Sequence, residues 1–244
     1  MKRITVLLVL LLSICQGQAQ NDKNLVFDAN AVARTVSGFS AVEVSGAIDL
    51  YLSQGKEEAV AVSASNQEAV SRIKTEVRNG KLHIYFDGSG WNWKSWSNNN
   101  KMKAYVTFIS LHKIEASGAC NIKTADMISS DDLKIQLSGA SDFTGEVKTG
   151  KLKLDASGAS NFKVSGTSEK TEIDISGACD VKAYELKSDL VKVDASGASV
   201  VRIYINKELS AEASGGSNIY YKGNGTIRDV STSGGATVKR KSED

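Results

Sequence analysis

Eight serines that recur at spaced intervals stand directly before a glycine: Ser45, Ser117, Ser138, Ser157, Ser176, Ser196, Ser214 and Ser233. A serine beside a glycine on a sharp bend can be a nucleophile, provided that a histidine takes its proton. The chain has two histidines, His83 and His112. Cys120 and Cys179 could supply thiolates to a metal. A spaced set of Asp and Asn residues (Asp49, Asn121, Asp142, Asn161, Asp180, Asn218) offers the oxygen ligands that calcium prefers. Trp91, Trp93 and Trp96 sit together in GSGWNWKSWSNNNK, residues 88–101. Their neighbours form hydrogen bonds, and tryptophan in such a setting stacks on sugar faces or anchors protein partners.

The elements that would have to position these groups decide among the possibilities. From Ser117 onward the serines are separated by 21, 19, 19, 20, 18 and 19 residues. A near-constant period of that size fits one coil of a β-solenoid. Five residues past each serine stand Leu50, Ile122, Phe143, Phe162, Val181, Val201, Ile219 and Val238, all apolar. Apolar residues also precede the serine by one and three positions, as Ala156 and Leu154 precede Ser157. Period-two alternation on both sides means two half-buried strands meeting at a bend. A serine present in every coil is not a unique nucleophile, so the Ser-Gly pair reads as a corner where glycine supplies backbone freedom.

The same alignment places the other candidates. Cys120 and Cys179 share a column with Ser141, Ser160, Ser199 and Ser217, three coils apart, or roughly 14 Å at the strand spacing. A disulfide needs Cα atoms within about 7 Å, so free, buried, inert thiols are expected, with no zinc site. His112 falls in the inward column of Leu133 and Leu152, which predicts an edge histidine with satisfied hydrogen bonds. The Asp/Asn set reads as a turn-favouring column and lacks the glycine-rich pattern of calcium-binding β-rolls. No cofactor, metal site or catalytic set is expected.

Outward positions are sorted by charge. Two residues before the serine stand Glu43, Glu115, Gln136, Asp155, Asp174, Asp194 and Glu212, and four before it stand Lys113, Lys134, Lys153, Glu172 and Lys192. Six residues after it come Lys123, Lys163, Lys182, Arg202 and Lys239. Coils about 4.8 Å apart would suffer from unbroken like-charged columns, so neighbouring columns of opposite sign read as solubility and register control.

The chain opens MKRITVLLVLLLSICQGQAQ, the layout of a cleaved secretory signal over residues 1–19. Lipidation at Cys15 is the alternative, disfavoured because Ile14 occupies the place before it where a small residue is wanted. No later stretch is apolar enough for a transmembrane helix. Lys2 and Arg3 are the charged residues of the leader, so the remainder carries as many acids as bases, and neither nucleic acid nor anionic lipid is a favoured partner. Export to the periplasm, the outer-membrane surface or the medium is expected, with the oligomeric state open.

Residues 20–110 are less regular. They contain an isolated motif copy (Ala41 to Leu52), a helical turn capped by Asn66, a hairpin with Asn79-Gly80 at its tip, and the tryptophan segment. They are expected to open the same domain as the regular repeats of residues 111–240. The tryptophans of the insertion either cap the open core or contact a ligand.

VEVSGAIDLYL (residues 42–52), the Gly-Lys-Leu-His-Ile hairpin and the serial SGA repeats resemble the head GIN domain family of auto-transporter adhesins, over about residues 28–240. The resemblance implies a right-handed parallel β-helix and a role in surface adhesion, and it brings no catalytic residues. The function expected is that of a noncatalytic, exported cell-envelope binding module recognising a glycan or protein surface. A carbohydrate-active enzyme on a β-helix is the alternative.

Overall fold

The structure, a computed structural model, describes residues 28, 30–91 and 101–242. Strands make up 66% of the chain and helix 3%, and the stacked parallel coils form a β-solenoid of about 7 turns. The opening region holds β1 (Val32–Arg34), β2 (Ala41–Gly46), β3 (Ile48–Gln54), β4 (Ala59–Ser63), α1 (Gln67–Arg72), β5 (Ile73–Arg78), β6 (Lys81–Phe86) and β7 (Met102–Phe108). The regular coils begin with β8 (Lys113–Gly118) and β9 (Asn121–Thr124). They continue through β10 (Ile128–Leu137), β11 (Asp142–Ala156), β12 (Asn161–Ile175), β13 (Asp180–Ala195) and β14 (Val200–Ala213). Three shorter strands close the stack: β15 (Asn218–Lys222), β16 (Thr226–Thr232) and β17 (Thr237–Arg240).

Each Ser-Gly pair is a corner, and glycine is needed there for two reasons. The eight repeat glycines, from Gly46 (φ 98°) to Gly234 (φ 70°), all lie in the left-handed region, where an L side chain is strained. The chain so turned aims the next amide at the coil before it. Ala140 donates to the Gly118 carbonyl at 2.7 Å, Ala159 to Gly139 at 2.8 Å and Ala198 to Gly177 at 2.7 Å. A Cβ on Gly139, Gly158 or Gly177 would land on the carbonyl oxygen that accepts this bond. Gly46 is the exception in space alone: nothing lies within 4 Å of a Cβ built there.

The interior follows from the fixed register. Phe143 pairs with Phe162, which pairs with Val181, and that residue with Val201, all buried. The two phenyl rings lie 6.3 Å apart. In the small-residue column the Ser160 hydroxyl donates to the Ser157 carbonyl at 3.1 Å, and Cys179 Sγ takes the equivalent place 3.2 Å from the Ser176 carbonyl. Both cysteines are buried and free, and burial pushes the Cys120 thiol up.

The opening coils are not stacked in chain order. β2 lies between β8, where Ser45 faces Ser117, and β6. β3 lies likewise between β9 and β7. The coil β2–β3 is thus second in the stack, and the later strands β6 and β7 are laid outside it. Residues 109–112 carry the chain back across, and this crossing corrects the expectation for His112. Leu111 is buried while His112 is exposed, its N–H donating to the Ser40 carbonyl at 3.0 Å. The inward alternation slips by one residue because the chain changes layers there. Antiparallel pairings then end the stack: β4 against β7, β1 against β4, and β5 against β6 through Asn79 and Gly80. In α1, Asn66 accepts from the Ala69 N–H at 2.8 Å, and Ala69 and Val70 are buried.

The first coils of the face leading into the corner are held by interlocked ion pairs. Lys81 reaches both Glu43 (2.9 Å) and Glu115 (2.5 Å), and Lys113 reaches Glu115 (2.7 Å). Lys134 and Lys153 share Asp155 at 2.8 and 3.5 Å. Burial pushes the Glu115 carboxyl up, but bonds from Lys113 and Lys81 outweigh it and hold it below its ordinary 4.5. Lys170 does the same for Glu172.

Two outcomes follow from these contacts. Gly158→Ala should combine left-handed strain with overpacking and cost at least about 3 kcal/mol, whereas Gly46→Ala should cost about 1–2 kcal/mol from strain alone. Urea unfolding of the two variants measures the difference, and equal losses would contradict the steric role. The depressed carboxyls contribute stability above their ordinary value and lose it as the pH falls through the lowered folded value. Glu115→Gln should therefore cost up to about 1 kcal/mol near pH 7 and nothing near pH 2. An unfolding midpoint whose pH dependence is unchanged by Glu115→Gln would refute that reading.

Candidate functional site

The fold disperses most of the groups first considered for chemistry. The corner serines recur one per coil, and the described residues show no hydroxyl bonded to either histidine. His83 Nδ1 lies 3.4 Å from Glu43 Oε2, inside the ion-pair cluster of Lys81. The Asp/Asn column bonds to itself: Asn121 Nδ2 donates to Asp49 Oδ1 at 2.8 Å and Asn161 Nδ2 to Asp142 Oδ1 at 2.7 Å. This alternation of amide and carboxylate puts a donor beside each acceptor, so the column locks register. Among the described residues no group of three or more His, Cys, Asp or Glu side chains could hold a metal ion.

Trp91 is half-buried, packed edge-on against Phe86 at 5.4 Å with the Arg72 guanidinium 5.0 Å from its ring centre. It therefore rests on the hairpin that ends the stack. Trp93 and Trp96 lie outside the described residues.

The face that leaves the Ser-Gly corner is different from the one leading into it. Its central outward column reads Tyr105, Tyr51, Lys123, Thr144, Lys163, Lys182, Arg202, Tyr220 and Lys239, each paired in register with the next. Tyr51 and Tyr105 stack at 5.2 Å. Lys163, Lys182 and Arg202 stand on three successive strands, about 4.8 Å apart. Like charges directly opposite one another are destabilising. Asp180 offsets part of this, paired to Arg202 and 3.5 Å from Lys182. Lys163 has no ion-pair partner among the described residues, and it is exposed.

A second column two residues further on brings tyrosines and more cations. Tyr184 and Tyr204 are followed by Lys222, with Lys222 Nζ 5.3 Å from the Tyr184 ring centre. Lys241 Nζ lies 4.8 Å from the Tyr220 ring centre. Gly223 leaves room for Tyr204, since a Cβ there would come within 3.0 Å of its ring. Burial pushes the Tyr184 phenol up, so the ring stays neutral beside its cations.

Coil length shapes this face into a groove. Between Lys182 and Leu186, β13 carries one more residue than β12, and between Ala183 and Lys187 three more than β14. Tyr184 and Glu185 therefore project over a step. Beside them a cavity of about 550 Å³ is lined by Met127, Lys163, Lys182, Tyr184 and Arg202, with Met127 42% exposed and with Asp126, Glu146 and Glu185 also on its wall. An apolar floor, cations at strand spacing and an aromatic wall can hold an anionic, partly apolar partner. The outward cations were visible in the sequence as a charge column. The tyrosines were missed, although the column eight residues past each serine (Tyr184, Tyr204, Lys222, Lys241) would have shown them.

Comparison with known proteins places this geometry among relatives. A family model described as "putative auto-transporter adhesin, head GIN domain" matches residues 38–225. The chain is similar to the crystal structure of a putative adhesin from Bacteroides fragilis, with a TM-score of 0.77 at 20% identity, covering 88% of this chain and 98% of that one. A putative adhesin from Parabacteroides merdae gives a TM-score of 0.68 at 20% identity, covering 87% and 95%. A protein from Parabacteroides distasonis described as a putative lipid binding protein gives 0.68 at 15% identity, covering 88% and 98%. Identities this low speak for the fold alone. No curated protein matches the chain.

Proposed function

Since this chain belongs to the head GIN domain family of auto-transporter adhesins, we propose that it is an exported cell-envelope module that binds a glycan or protein surface without transforming it. One observation carries the reading: the solenoid presents a rigid face of cations and tyrosines, fixed by backbone register on successive strands. Such a surface is preorganised for an extended partner, because its side chains are already aligned before contact. The apolar leader of residues 1–19 supports export. No helix among the described residues is long and apolar enough to cross a membrane. The tryptophan segment is a second proposed contact region, with Trp91 as its anchor on the hairpin and Trp93 and Trp96 following it in the sequence.

The test is a screen of the mature protein against neutral and acidic glycans and envelope extracts, recording retention and product release together. Retention without any new reducing end or unsaturated product is expected. Turnover of a bound glycan would replace this reading with a carbohydrate-active enzyme.

A further inference from the structure

We propose that the groove beside Tyr184 binds a linear anionic polysaccharide, its carboxylates held by Lys163, Lys182 and Arg202 and its sugar faces by the flanking tyrosines. The inference rests on the binding-module reading and names the ligand class for it. Three observations point the same way. The cations repeat at the strand spacing of about 4.8 Å, close to the advance of one pyranose along an extended chain. From Lys123 to Lys239 the column spans six such steps, about 29 Å, enough for several sugar units.

The cations are also only partly compensated by the protein's own carboxylates. Lys163 has no ion-pair partner among the described residues, and Lys182 and Arg202 share one carboxylate. On the face leading into the corner, by contrast, Lys81 and Lys113 meet two carboxylates, Glu43 and Glu115. Removing the mutual repulsion of three adjacent cations adds to the favourable free energy of binding an anion along the column.

The third observation is the aromatic content. Tyr184, Tyr204 and Tyr220 lie within or beside the cation columns, each partly exposed, and Lys222 and Lys241 sit over two of the rings. A tyrosine face packs on the C–H face of a pyranose while its hydroxyl bonds to ring hydroxyls. An acidic protein surface or a lipid headgroup layer would use the cations and leave the rings and the groove beside Met127 without a role.

The competing occupant is a second copy of this chain. Asp174, Asp194 and Glu212 form an exposed acidic column on the same three coils, with the same pitch. The experiment must therefore separate the two. Polygalacturonate is the probe, with dextran as the neutral polymer, single-stranded DNA and phosphatidylserine vesicles as other anionic surfaces, and the full mature protein as the receptor. Titration calorimetry should show polygalacturonate binding that weakens with added salt.

Lys163→Gln with Lys182→Gln should weaken binding by about tenfold, the scale of losing two exposed charge-assisted bonds. Tyr184→Ala should weaken it without changing the salt dependence. Asp174→Asn with Asp194→Asn should leave it unchanged. Circular dichroism melts of each variant should match the parent, since all these side chains point outward. Several results would overturn the proposal: no polygalacturonate binding, binding indifferent to the lysine pair, or equal or tighter binding of DNA or vesicles. Self-association abolished by both the lysine and the aspartate pairs would assign the column to a second copy instead. Retention of a neutral glycan, indifferent to the lysine pair, would leave the binding-module reading standing and remove only this one.

Discussion

Everything in this solenoid depends on one hydrogen bond repeated at each corner, from the amide after a left-handed glycine to the glycine carbonyl of the coil before it. The bonds are short, 2.7–2.8 Å from Ala119 through Gly235. They set the distance between coils at a place where no side chain could intervene. A β-strand pair elsewhere can slip by two residues and still bury its apolar face. The corner removes that freedom, because a slipped glycine would put a Cβ where a carbonyl must sit. Register is thus fixed by a main-chain contact, and the side-chain columns inherit it.

Several properties follow from inherited register. Inside, the fixed register stacks apolar on apolar, with phenyl on phenyl at Phe143 and Phe162 and small against large along Leu137, Ala156, Ile175 and Ala195. Outside, the same inheritance stacks charge on charge. The molecule handles this in three ways on three columns: by shared ion pairs around Glu115, by alternating amide and carboxylate from Asp49 to Asn161, and by leaving Lys163, Lys182 and Arg202 only partly compensated. The third arrangement is the one that an anionic partner would complete. Function on such a scaffold is a property of columns more than of single residues.

Much of this was legible in the sequence because the period is nearly constant. The interior rows, the free thiols and the sorted charge columns could each be read from an alignment on serine. His112 was misplaced because alternation assumes one layer per coil, and residues 109–112 change layers. The position of β6 and β7 outside β2 and β3 was illegible for a related reason: apolar alternation marks a strand as half-buried and does not say which neighbour covers it. The groove was missed since it depends on unequal coil lengths around Tyr184, which a column of aligned serines hides. The tryptophan segment interrupts the repeat, so no column predicts what its side chains meet. Trp91 found its place through contacts with Arg72 and Phe86, neither of which belongs to the regular repeats.

Native-state hydrogen exchange tests the corner most directly. Ala140, Ala159, Ala178 and Ala198 are exposed residues at turns, where amides ordinarily exchange fast through local opening. If their N–H groups carry the register of the stack, they should exchange only through global unfolding, with protection equal to that of the buried strand amides at Phe143 and Phe162. Exchange of these four amides at the rate of free turns, while the strands remain protected, would contradict the account.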